Sequence, residues 1–145
     1  MGLFNFKQKA EIKRLEPTLI ELGYIKRMNK SFGYRKQTTP NGYIEYSIYI
    51  NKELMNFSWS IEDLTMVIEP DKIIETATSL IEEANNIIYL SGSKVEYGLN
   101  YIDFTLEVSK IDEQGIKEIH SFLEHIHTVY TPLIREAKPG ELPFN

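Results

Sequence analysis

The sequence predicts a single α+β domain, with three helices packed mainly on one face of an antiparallel sheet of about five strands, in the order α-β-β-β-α-β-β-α. Two successive runs between residues 43 and 61 alternate with a period of two. In 43–50, Ile44, Tyr46, Ile48 and Ile50 oppose Tyr43, Glu45, Ser47 and Tyr49; in 54–61, Met55, Phe57, Trp59 and Ile61 oppose Asn56, Ser58 and Ser60. Residues 71–90 instead place Ile73, Ala77, Leu80, Ile81, Ala84 and Ile88 at intervals of three and four, the period of an amphipathic helix.

Taken in order, the chain opens with a helix over 6–22, where Ile12, Leu15, Leu19 and Leu22 share a face and Gly23 supplies the stop. Pro17 lacks an amide donor and crowds the preceding turn, so a kink or a restart at Glu16-Pro17 is expected. A first strand follows over 31–36 with Phe32 and Tyr34 inward, joined to the 43–50 strand through Thr38-Thr39-Pro40-Asn41-Gly42, whose Asn-Gly is a hairpin signal. Asn51-Lys52-Glu53 turns the chain into the third strand, and Met66-Val67-Ile68 offers a further short one. After the helix over 71–90 and the stop at Ser91-Gly92, strict alternation returns in 101–108, with 94–97 as its shorter partner. Ser109, followed three residues later by Asp112, reads as the cap of a last helix through Ile116, Ile119, Leu123, Ile126 and Tyr130, which Thr131-Pro132 breaks. Residues 1–137 then form one domain and 138–145 an extended tail.

At 145 residues and 42% hydrophobic content, the chain buries a core without metal or disulfide staples. Cysteine is absent, which excludes disulfides, thiolate chemistry and sulfur-based zinc sites and fits a reducing compartment. The N-terminal residues lack the pattern of a signal peptide, no stretch is apolar enough to span a membrane, and a cytoplasmic location without membrane attachment is expected. Phe6 stands where a myristoylation motif beginning at Gly2 needs Ser or Thr.

Charge is polarised along the chain. Residues 1–36 carry nine Lys or Arg against three Glu, so the net charge of −5 leaves −11 on the other 109 residues. The basic segment suits a phosphate backbone, but the acidic remainder opposes it, and nucleic acid ranks last among the partners. A simpler reading has Lys9, Lys13, Arg14, Lys26, Arg27, Arg35 and Lys36 solvated or paired with acids that folding brings close.

Two constellations carry chemistry. His120, Glu124 and His127, at spacings of four and seven, lie on one flank of the last helix, and imidazole with carboxylate is a ligand set for a divalent metal; the alternative is boundary filler beside the core. Tyr43, Glu45 and Tyr49 share the polar side of one strand, and Tyr101, Asp103 and Glu107 that of another. Brought into one sheet, these six form an aromatic and acidic patch suited to a protein partner, or else a helix covers that side and they are boundary residues. Ser91-Gly92-Ser93-Lys94 matches a serine–lysine catalytic spacing but is explained as a helix stop and turn. No phosphate-cradling glycine loop, dinucleotide fingerprint or nucleophile elbow is present.

Leu15-Glu16-Pro17-Thr18-Leu19, then Gly23-Tyr24-Ile25-Lys26-Arg27 and Phe32-Gly33-Tyr34-Arg35-Lys36, resemble the opening of a family of small uncharacterised bacterial proteins that includes immunity-like partners of secreted toxins. The resemblance spans the first quarter of the chain. It implies an α+β domain that binds another protein and brings no catalytic residues or cofactor. The resulting expectation is a non-enzymatic binding module, an immunity-like inhibitor of a basic bacterial toxin, and the alternative is a small metal-dependent enzyme using His120, Glu124 and His127.

Overall fold

The computed structural model describes residues 2–27, 33–38 and 42–141, with side chains from residue 9 onward. The first half runs α1 (Gly2–Glu21), β1 (Ile25–Lys26), β2 (Gly33–Gln37), β3 (Ile44–Asn51), β4 (Leu54–Ile61) and β5 (Met66–Ile68). The second runs α2 (Ile73–Asn85), β6 (Lys94–Tyr97), β7 (Tyr101–Glu107), α3 (Glu113–Tyr130) and β8 (Ile134–Glu136). Six strands form one antiparallel sheet in the order β1-β2-β3-β4-β7-β6, and β5 pairs with β8 separately. The α+β architecture and the succession of major elements are as the periodicity predicts, with β1 and β8 as additions too short to show a period.

Register sorts the side chains into two faces. Tyr34, Ile48, Phe57, Phe104 and Val95 stand in one cross-strand row, and Tyr46, Trp59, Ile102 and Tyr97 in another. Against this face pack Ile12, Leu15 and Leu19 of α1, Ala77, Leu80 and Ala84 of α2, and Ile116, Ile119, Leu123 and Ile126 of α3, all in one continuous buried core. Phe57 and Phe104 stack at 5.0 Å, and Phe122 of α3 meets Phe104 edge-on at 5.6 Å, fastening helix to sheet.

Four local expectations are corrected. Pro17 neither breaks nor restarts the first helix, because α1 runs unbroken from Gly2 to Glu21, its buried stripe outweighing the one missing donor. It ends where predicted: Gly23, at φ +97°, donates to the Ile20 carbonyl, and Tyr24 donates to that of Leu19, two bonds that satisfy the last turn. α2 stops at Asn85, five residues early, since Asn85 Oδ1 accepts from the Gly92 amide at 3.1 Å and turns the chain back; Ile88 is left 85% exposed. The cap of α3 is Asp112, whose side chain accepts from Gly115 N–H at 2.8 Å, while Ser109 sits in a short 3-10 turn.

The fourth concerns the chain end. Residues 138–141 are not extended: Glu141 donates its amide to the Lys138 carbonyl, and its carboxylate takes both terminal nitrogens of Arg135 at 2.8 and 2.9 Å. Arg135 also donates to Glu69 at 2.8 Å, locking β8 and the turn after it to the end of β5. Phe32, residues 39–41, where the hairpin turn is expected, and residues 142–145 lie outside the described residues. Among the described residues, no helix is long and apolar enough to cross a membrane.

Candidate partner-binding face

The sheet face opposite the helices carries the polar half of each alternating strand. Its rows are Gln37–Glu45–Ser60–Tyr101, then Arg35–Ser47–Ser58–Asp103–Glu96, then Gly33–Tyr49–Asn56–Thr105–Lys94. β4 lies between β3 and β7, so the two strands flagged from sequence share a face with one strand separating them. Ser58, Ser60, Asn56, Tyr101 and Asp103 are half-buried and Tyr49 is exposed, so this side remains open to solvent. Where Gly33, Ser47, Asn56, Ser58 and Ser60 adjoin, the small side chains leave a trough of about 290 Å³, walled by Tyr49, Arg27 and Glu62.

The six predicted residues do not behave alike. Tyr49, Tyr101 and Asp103 stand on the open face. Glu45 is only 3% exposed, with Ser47 Oγ donating to it at 2.9 Å and guanidinium nitrogens of Arg27 and Arg35 at 3.6 and 3.7 Å. It is a buried counter-ion rather than a presented acid. Tyr43 precedes β3 and is half-buried against the core. Glu107 belongs to a different groove of about 620 Å³ at the end of β7, lined also by Leu54, Ile88, Tyr89 and Lys94, and pairs with Lys110 at 3.6 Å.

The face holds more negative charge than it neutralises. Glu96 stands directly opposite Asp103, a like-charge cross-strand pair, and burial together with the Glu96 charge raises the Asp103 carboxyl above its ordinary value. Although Glu62 is exposed as a residue, lost hydration and the neighbouring Glu45 charge raise its carboxyl too. Glu62 and the serines of β4 were not singled out from sequence, and Arg27 and Arg35 were named only among the bases solvated or paired with acids that folding brings close. The serines were legible as the polar phase of β4; the Arg and Glu pairing was not, because it joins three separate segments.

Four bases of the N-terminal segment are ion-paired within the chain: Arg14 with Glu11, Lys26 with Glu16 at 3.6 Å, and Arg27 and Arg35 with the single Glu45. Arg14 also bonds the Ile111 carbonyl, and Lys36 donates to the Leu22 carbonyl at 2.8 Å. Lys9 and Lys13 are exposed.

His120, Glu124 and His127 do share one flank of α3, with the Nδ1 of each histidine committed to a side chain of another segment. His120 Nδ1 meets the Tyr24 hydroxyl at 3.0 Å, its Nε2 lies 3.7 Å from Glu124, and His127 Nδ1 accepts from the Trp59 indole at 3.1 Å. Among the described residues, no group of three His, Cys, Asp or Glu is placed to hold a metal ion.

A solved structure shares this fold. A chain of the HopA1-SchA chaperone-effector complex superposes with a TM-score of 0.51 over 86% of this chain and 97% of its own, at 12% identity. At that identity the HopA1-SchA likeness is one of architecture. No family model and no curated protein matches the chain.

Proposed function

We propose that this chain is a non-enzymatic protein-binding module that holds a basic partner on the open face of the six-stranded sheet. The observation that carries the reading is the asymmetry of the sheet: one face lies under three helices, while the other presents Tyr49, Tyr101 and Asp103 around a serine-floored trough. Tyrosine buries large area at low entropic cost, and the unneutralised acids Asp103 and Glu96 complement a cationic surface. The shared fold with a chain of a chaperone-effector complex supports a role built on holding another protein. An immunity-like inhibitor of a basic bacterial toxin is the most specific form of this reading, in keeping with the resemblance of the first quarter of the chain.

The test is capture of partners from the lysate of the source organism by tagged wild-type and variant proteins. A basic protein retained by wild type, weakened by added salt and lost in Tyr49→Ala and Asp103→Asn, bears the reading out. Equal capture by wild type and both variants removes the open face from consideration. A contact central to such an interface weakens binding roughly 30-fold on truncation.

A further inference from the structure

Two histidines of α3 each share a hydrogen bond with an aromatic side chain from elsewhere in the chain, and the two aromatic partners differ in what they permit. The indole N–H of Trp59 donates only, so its 3.1 Å bond to His127 Nδ1 requires that nitrogen to keep its lone pair. A proton there sets N–H against N–H. The Tyr24 hydroxyl both donates and accepts, so its 3.0 Å bond to His120 Nδ1 survives protonation by reversing direction. Glu124, 3.7 Å from the other ring nitrogen of His120, further favours that cation.

We infer that His127 is an acid-sensitive latch: its neutral imidazole fastens the C-terminal half of α3 to β4 through Trp59, and protonation unfastens it, whereas His120 keeps its bond in either state. What the latch secures is continuous with the chain end. Tyr130, in the last turn of α3, stacks on Trp59 at 4.9 Å, and the segment after it leads into β8.

Among the described residues no carboxylate bears on His127: Glu124, on the same flank, acts on His120 and Tyr46 instead. Tyr46 of β3 meets both imidazoles edge-on, at 5.9 and 6.1 Å, and its phenol is pushed up to about 12 by burial and by Glu124, so it stays neutral. Tyr130 is pushed up to about 12 by burial and by Tyr97. Thr131 Oγ1, 3.4 Å from His127 Nδ1, already donates to the His127 carbonyl. Burial lowers His127, and no charge adds to that shift. Burial also lowers His120, where Glu124 opposes the shift and Lys36 assists it. A histidine held neutral in the latched state binds fewer protons than in the open one. Opening is therefore favoured as pH falls below the ordinary imidazole value of about 6.5, by up to about tenfold per pH unit.

The chain contains one tryptophan, so its signals report on the surroundings of Trp59, and the histidine variants assign them to the His127 contact. The experiment follows the Trp59 indole N–H resonance, the histidine ring resonances and tryptophan fluorescence from about pH 8 to about pH 4.5. Wild type is expected to show a Trp59 transition that coincides with the His127 titration and lies below that of a free imidazole. His127→Gln, whose amide oxygen accepts from the indole at every pH, abolishes the transition, and His120→Gln retains it. A Trp59 signal that stays flat, or a transition that persists in His127→Gln, overturns the inference. If His127→Gln does not fold, Trp59→Phe decides: without the donor the His127 midpoint rises towards the free value, and an unchanged midpoint refutes the latch.

Discussion

Lys52 shows how one position departs from the local rules. It occupies the two-residue turn between β3 and β4 at φ +59°, a left-handed conformation that costs a residue with a Cβ about 1 kcal/mol. Lys52→Gly is expected to raise unfolding stability by roughly 0.5–1 kcal/mol, read as a higher urea midpoint at constant slope. Glu45 and Tyr49, four residues apart on the same face of β3 with Ser47 between them, differ in kind. Glu45→Ala strands Arg27 and Arg35 beside a buried void and is expected to cost roughly 1–3 kcal/mol; the guanidiniums reach solvent, which keeps the loss below that of a fully buried pair. Tyr49→Ala, at an exposed position, is expected to change stability by no more than about 0.5 kcal/mol while weakening partner capture. Chemical denaturation of both variants separates the structural residue from the binding one. Sequence phase put Glu45 and Tyr49 on the same side, and it did so correctly; what it lacked was the pair of arginines, brought in from β2 and from the segment after β1.

Among the elements, α3 was legible almost to its ends and α2 was not. The stripe of α3 continues to Tyr130, and Thr131-Pro132 supplies a chemical stop, whereas the apolar spacing of α2 persists past its true end because Ile88 happens to keep the period. Periodicity records which residues would share a face if the helix continued, and a side-chain cap decides whether it does. The two candidate caps of α3 can be told apart directly. Asp112→Ala removes the bond to Gly115 N–H and is expected to lower the melting temperature by roughly 2–5 °C, while Ser109→Ala leaves it unchanged. Thermal melts that ranked the two variants the other way would return the cap to Ser109. Two short strands escape sequence reading for a simpler reason: β1 has two residues and β8 three, fewer than two full periods.

For the molecule as a whole, the β5–β8 pair and Arg135 tie the end of the chain to its middle. Arg135→Met is expected to loosen residues 134–141 without unfolding the six-stranded sheet, seen as faster amide exchange confined to that segment. The wild-type protein should show the same loosening in acid. Hydrogen bonds from Arg135 and from the Lys138 amide hold the Glu141 carboxyl down at about 2 from an ordinary 4.5. The native state thus binds fewer protons than the freed one, and the restraint, complete above the ordinary value, is lost as pH falls through that window. Exchange at 134–141 that is indifferent to pH there would assign the restraint to strand pairing instead.

What could be read from residue order was whatever repeats over a few positions: the two-residue period of β3, β4 and β7, the three-to-four-residue stripes of the helices, the stop at Gly23, and therefore the α+β architecture. Those signals are local because burial of one face imposes them on neighbouring residues. The site was only half legible. Which polar phase would stay open, that Glu45 would be sealed under two arginines, and that Tyr24 and Trp59 would claim the histidines depended on pairings across long stretches of chain, 96 residues from Tyr24 to His120 and 68 from Trp59 to His127. No local pattern encodes such contacts, because strand order and helix placement are settled by packing the whole core at once.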